Sequence, residues 1–199
     1  MTTATTGLNE IEMRRVIERE LESGERVRWL GQPVPDKLAS TGRKFMLFAI
    51  PLTAFAVFWT ALVTWIAGLF GLFGLPFIGI GVFMFTYPQR LRQAARKTVY
   101  ALTDKRAIVA APTSLVRVSD ALHFESYMPM ELRSLTRTEA ADGSGDLVFA
   151  IITRRTNNGA TTTRKGFMGV ADVQQVERTL RRELLDVALP PSTVSAAGM

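Results

Sequence analysis

The sequence predicts an α+β membrane protein. A two-helix transmembrane hairpin comes first, then an antiparallel sheet structure capped by a C-terminal α-helix. Three observations predict this. Residues 45–87 form a run of 43 positions without one charged side chain. Residues 98–167 break into short strand-like runs separated by turn residues. From residue 170 the apolar positions recur at helical spacing.

A bilayer core about 30 Å thick is crossed by about 20 helical residues, each rising about 1.5 Å. The uncharged run is therefore roughly two spans long. Gly68, Gly71, Gly74 and Pro76 are the breakers within it, which places a tight turn there and spans at about 45–66 and 69–87. A soluble core helix keeps charge on one face, and here no face carries any. A signal peptide would place a shorter apolar region near the start, whereas this run follows 44 residues. Trp65 and Tyr87 suit the outer and inner membrane boundaries. Arg43 and Lys44 precede the run, Arg90, Arg92, Arg96 and Lys97 follow it, and the turn has neither Lys nor Arg. By the positive-inside rule both termini are cytoplasmic, and the expected location is a membrane crossed twice. The basic stretch 88–97 serves as a membrane-proximal linker. It also attracts anionic lipid heads, at about 1 kcal/mol per basic residue.

Outside the run lie an N-terminal arm of 44 residues and a C-terminal region of 112, and only the second is long enough for a compact domain. The formal charge of +6 sits mostly downstream, with 16 basic and 11 acidic residues after the run against 8 and 7 before it. The absence of cysteine excludes disulfides, iron–sulfur clusters and thiol catalysis, and agrees with a reducing cytoplasm.

Residues 1–8 are Thr-rich and predicted disordered. Asn9 is a helix cap, Glu10 and Glu12 suit a first turn, and Ile11, Val16 or Ile17, and Leu21 form an apolar stripe, so an amphipathic helix runs to about residue 23. Residues 25–32 read as a strand ended by Pro33 and Pro35, completing a cytoplasmic segment over 9–44. The domain itself is placed at 98–188. Strands are predicted at 98–103, 107–111, 115–119, 121–128, 132–140, 147–153 and 160–167. Asn157-Asn158-Gly159 provides a hairpin turn, because Asn-Gly accepts positive φ. Val173, Val176, Leu180, Leu184 and Val187 define one face of the closing helix, which Pro190-Pro191 stops. Residues 189–199 are predicted disordered. Whether the strand before the spans joins the sheet after them is left open by the sequence.

Three segments carry a family resemblance. The first, Gly24 to Pro33, contains Trp29, Gly31 and Pro33. The second, Val99 to Ile108, contains Tyr100, Leu102, Thr103, Asp104 and Arg106 and is the most specific. The third begins Asp142-Gly143-Ser144-Gly145-Asp146 and is followed by Gly166-Phe167. In these the chain resembles the bacterial PH-like (pleckstrin-homology-like) domain membrane proteins. The resemblance spans about residues 24–185. It implies a PH-like antiparallel β-barrel or sandwich held against the inner membrane. It implies little about activity, because such folds host lipid binding, peptide binding and scaffolding alike.

Few residues point to catalysis. His123 is the one histidine, with no nucleophile and orienting group assembled around it in sequence. Asp142 and Asp146 flank a Gly-Ser-Gly turn without the alternating pattern of a calcium loop. Gly79-Ile80-Gly81 lies inside the second span, where it allows close helix packing rather than phosphate binding. No cofactor or metal is expected, and scattered basic residues give no nucleic-acid recognition element. Arg154 and Arg155, with Arg164 and Lys165 across the hairpin turn, are the candidate anion-binding residues, joined by Arg90, Arg92, Arg96 and Lys97. Lys105 and Arg106 form a second candidate rim. The expectation is a non-enzymatic membrane-anchored module that binds or scaffolds a partner. The expected partners are membrane lipid, a membrane protein or a second copy. The alternatives are a small structural subunit of a larger membrane complex, or a membrane-associated hydrolase built on carboxylates.

Overall fold

A computed structural model describes residues 8–114, 121–156 and 159–186, with the side chains of residues 41, 43–45 and 156 excepted. The expectations for 1–7, for a strand at 115–119, for the Asn157-Asn158 turn positions and for the tail beyond 186 lie outside the described residues.

Helix α1 (Glu10–Glu18) begins as expected. The Asn9 side chain accepts the Glu12 N–H at 2.8 Å, and the Glu12 carboxylate accepts the Asn9 N–H at 2.9 Å. Ile17 is fully buried while Ile11 is exposed, so the stripe is Met13, Val16, Ile17 and Leu21. Strand β1 (Val27–Gly31) follows, and Pro35 opens helix α2 (Pro35–Ala67), where a residue without an N–H costs nothing at the first position. The chain continues through a 3₁₀ helix (Gly68–Gly74) into helix α3 (Leu75–Lys97).

Two expectations are corrected. By length and composition the described residues hold one candidate membrane span, the 52-residue helical segment Met46–Lys97, not two. The physical reason lies at Gly68–Gly74: these residues join α2 to α3 through a 3₁₀ turn, so the helical segment runs on without an intervening loop. Gly68 ends α2 at φ 59°, a value that glycine tolerates. Within the segment α2 and α3 lie side by side. Gly71, Gly74 and Gly81 sit on Thr64, Thr60 and Thr53, where any Cβ would collide with the threonine hydroxyl. Those hydroxyls donate to carbonyls one turn back, at Thr60, Ala56 and Ala49, and so stay satisfied in an apolar setting. Gly81 thus makes the close packing expected of it, while Gly79 faces open space.

The second correction concerns the barrel. Among the described residues the strands form two separate antiparallel sheets with no closure. Sheet A has the order β1-β2-β3-β4, with β2 (Val99–Thr103), β3 (Ala107–Pro112) and β4 (Leu122–Tyr127). Sheet B has the order β5-β6-β7, with β5 (Thr136–Glu139), β6 (Gly145–Thr156) and β7 (Gly159–Val170). The run expected as a strand over 132–140 is split. A 3₁₀ turn (Glu131–Ser134) carries Leu132 into the core and moves the chain from one sheet to the other, so β4 and β5 do not pair. Helix α4 (Val173–Leu180), with Asp172 capping the Gln175 N–H, ends in a π turn (Arg181–Leu185).

The open question about β1 is answered. It pairs antiparallel with β2, Gly31 opposite Tyr100 and Val27 opposite Thr103. The whole helical segment is therefore inserted between two adjacent strands. Side chains alternate along a strand, and β2 uses both faces. Tyr100 and Leu102 join Phe149, Phe167, Val173 and Leu180 between the sheets and under α4. Val99 and Ala101 join Ile17 and Ile108 beneath α1.

A buried ion pair locks β1 to β2. Arg106 Nη2 and Nε each lie 3.0 Å from the Glu25 carboxylate, whose side chain is fully buried. Thr103 Oγ1 donates to the same carboxylate at 2.7 Å. Burial alone would raise the Glu25 carboxyl, but the hydrogen bonds from Arg106, the Glu22 N–H and Thr103 outweigh it and hold the group below its ordinary value. Glu25→Ala strands a buried guanidinium and should cost about 3 kcal/mol, read from thermal melting of the solubilised chain. Because the folded-state value is depressed, this stabilisation is complete above about pH 4.5 and lost as pH falls below it. Wild-type melting temperature should drop on acidification, and the Glu25→Ala chain should show less of that drop.

Candidate functional site

The two stems of the helical segment are tied to each other and to both sheets. Gln32 Nε2 donates to the Arg96 and Thr98 carbonyls at 3.0 and 3.2 Å. Arg92 pairs with Asp36 at 3.0 Å, the Val34 N–H donates to the Gly169 carbonyl at 2.7 Å, and Lys37 pairs with Asp142 at 2.5 Å. These contacts hold Leu38, Leu91 and Ala94 over the gap between sheet A and β7. The gap is a cavity of about 610 Å³. Its apolar wall is completed by Val109, Ala111 and Pro112 of β3, and its polar end is formed by His123, Glu125, Arg164 and Lys165.

Glu125 is the hub of that polar end. It is ion-paired with Lys165, accepts the Tyr127 hydroxyl at 2.6 Å and lies 3.4 Å from His123 Nε2. Burial would raise its carboxyl, yet the Lys165 and Tyr127 hydrogen bonds hold it below the usual value. Thr98 Oγ1 is spent on the Ala94 carbonyl at 2.9 Å. The Tyr100 hydroxyl bonds both the carbonyl and the N–H of Met168, each at 3.1 Å, and burial raises its ionisation.

The four hairpin cations do not form one cluster. Arg164 is opposite Ile151 and Lys165 opposite Ala150, whereas Arg154 and Arg155 are opposite Thr161 and Ala160. Three residues along a strand separate the pairs by roughly 10 Å. Lys165 is neutralised by Glu125. Arg164 has no ion-pair partner among the described residues and borders a second cavity of about 470 Å³ beside Lys37. Arg154 and Arg155 lie on an exposed arm with Ile151 and Ile152. On α3, Arg90 stacks over Phe83 at 4.2 Å, Arg92 is engaged by Asp36, Arg96 lends its carbonyl to Gln32, and Lys97 closes the helix. The rim of Lys105 and Arg106 is consumed by Glu22 and Glu25.

The motif positions are structural. Trp29 packs on Phe167 at 5.6 Å, and Gly31 leaves room for the Trp29 indole. Pro33 is buried beside Gly169. Leu102 and Thr103 are fully buried, and Asp104 accepts the Arg26 N–H at 3.0 Å. Asp142 is held at about 2 by Lys37 and then by the Ser144 hydroxyl. Gly143, at φ 77°, and Gly145, against the Thr138 carbonyl, make the turn. Asp146 accepts the Gly169 N–H at 2.7 Å. Both turn carboxylates thus serve as braces. No group of three potential ligands for a metal occurs among the described residues.

Compared with known proteins, the chain matches no family model, no curated protein and no solved structure.

The His123–Glu125–Tyr127 set was visible as an i, i+2, i+4 repeat on one strand face. Its partner Lys165, from 40 residues away, was not. Tyr127 ionises above its ordinary range, first through burial and then through Glu125. Glu125→Gln should move that ionisation part of the way down. Ultraviolet titration, with Tyr127→Phe identifying the step, measures it.

Proposed function

We propose that the chain is a non-enzymatic module held at a membrane by its helical segment, with both sheets on the cytoplasmic side, where it binds or scaffolds a partner. One observation carries the reading. Among the described residues, most of the exposed large apolar side chains lie between Leu47 and Phe85, including Phe58, Trp65, Leu69 and Phe73. Only 17% of the segment's most apolar window is buried, whereas a soluble core helix hides most of its surface. An apolar patch of that extent needs lipid or protein against it. The basic residues of α3 stand on the same side as the sheets, which is the cytoplasmic side by the positive-inside rule.

The resemblance to bacterial PH-like domain membrane proteins supports the reading at the level of three motifs, now without the closed barrel. The first two motifs touch through Glu25 and Arg106. The third braces α2 through Asp142 and Lys37. Such contacts support a scaffold and its mount rather than a catalytic centre.

The full chain, expressed in cells, should sediment with membranes and stay there through washes with high salt and with alkaline carbonate. Release by salt alone would reduce the attachment to surface charge. Release by carbonate would sink the reading.

A further inference from the structure

We propose that the cavity between the base of the helical segment and β7 binds one anionic amphiphile, with its head group on Arg164 and its hydrocarbon along Leu38 and Leu91. The inference rests on the membrane reading above and names the ligand class of one site within it.

The cavity, at about 610 Å³, falls within the range of small-molecule sites, roughly 300–1,000 Å³. Its two ends differ in chemistry. The end at the helical segment is formed by Leu38, Leu91 and Ala94 and offers no charge, while Val109 and Ala111 of β3 stand opposite Glu125 and His123. The other end holds four titratable groups, and three of them are engaged with one another: Glu125 with Lys165 and with His123. The two nearest hydroxyls are also committed, Thr98 to the Ala94 carbonyl and Tyr100 to Met168. Arg164 is the charge left over. Acidic residues border it across the neighbouring cavity, but they are committed as well. Glu139 pairs with Arg137 at 3.4 Å, and Asp146 holds the Gly169 N–H.

An exposed guanidinium without an ion-pair partner at the rim of a half-open pocket selects an oxyanion, which it binds with two parallel donors. The apolar end then selects against a small free anion, which would leave that wall unfilled. A molecule carrying both a phosphate-like head and an alkyl chain satisfies both ends. Leu38 and Leu91 belong to α2 and α3, so the chain continues from the cavity onto the exposed apolar surface of the segment. Arg154 and Arg155, further along the arm, take no part.

The experiment uses the full chain in a neutral detergent, titrated with dioctanoyl phosphatidic acid, dioctanoyl phosphatidylcholine and inorganic phosphate, and read by calorimetry and native mass spectrometry. Phosphatidic acid should saturate at one molecule per chain. Phosphatidylcholine and inorganic phosphate should each bind at least roughly tenfold more weakly. Arg164→Gln and Leu91→Trp, which fills the apolar end, should each lower phosphatidic acid affinity by roughly tenfold or more. The pair Arg154→Gln and Arg155→Gln should leave it unchanged. If Leu91→Trp does not melt cooperatively, Ala111→Leu narrows the cavity from the opposite wall. Inorganic phosphate binding as tightly as the lipid would overturn the amphiphile assignment. Equal losses from Arg164→Gln and from the Arg154/Arg155 pair would mean diffuse charge attraction and overturn the site. No bilayer is needed for the titration. A chain that binds the lipid but leaves membranes in carbonate would sink the membrane reading alone, and a chain that stays in membranes but ignores the Arg164 change would sink the cavity alone.

Discussion

Arg106 holds together three stretches that are far apart in sequence. Its guanidinium grips Glu25 with two nitrogens, reaches the Glu20 carbonyl at 2.7 Å and touches Ser126 Oγ at 3.3 Å. Its carbonyl receives the N–H of Thr103, and its own N–H donates to the Thr103 hydroxyl oxygen at 3.0 Å. The loop after α1, the β2–β3 turn and β4 thus meet at one side chain. With them aligned, β1 lies in register beside β2. That pairing sets the two stems of the helical segment next to each other, which in turn lets Gln32 bridge to Arg96 and Thr98. The cavity under Leu38 and Leu91 follows from the same alignment.

Sheet A supports this arrangement because it is covered on both sides. A strand buried on both faces reads as a near-continuous apolar run rather than an alternation, and Val99–Thr103 is such a run. Its odd and even positions serve two separate cores. One is small and roofed by α1. The other is aromatic, with Phe167 stacked on Tyr100 at 4.8 Å and edge-on to Phe149 at 4.9 Å between centroids. Ring pairs of this kind fix relative orientation as well as burying area. They hold sheet B against sheet A, although among the described residues no strand pairing joins the two.

The elements with strong local signals were legible in the sequence. Asn9, Glu10 and Glu12 define the start of α1 by capping chemistry alone. The β2–β3 hairpin and the β6–β7 pair follow from apolar runs around turn residues, and the spacing of Val173, Val176, Leu180 and Leu184 reports the face of α4. What escaped depends on contacts between distant residues. Nothing local says that Glu125 will meet Lys165, or that Lys105 and Arg106 will face Glu22 and Glu25 instead of solvent. Leu132 reads as part of a strand, and only the need to change sheets makes it the buried residue of a 3₁₀ turn. Likewise, three glycines read as a break in the helix: Gly68 does end α2, but Gly71 and Gly74, packed on Thr64 and Thr60, carry the chain on as a 3₁₀ turn into α3.

The insertion of the helical segment between neighbouring strands also orders events during synthesis. β1 leaves the ribosome first, but its partner β2 begins only at Val99, after the entire segment has been made. At roughly 5–20 residues per second this is a delay of several seconds. Over that time the edge of β1 has no strand to bond to, and Trp29 has no Phe167 to pack on. The nascent chain therefore passes through a stage in which a short apolar strand waits unpaired while the most hydrophobic stretch of the protein emerges. Its assembly depends on that stretch reaching its final environment before the sheet closes around its two ends.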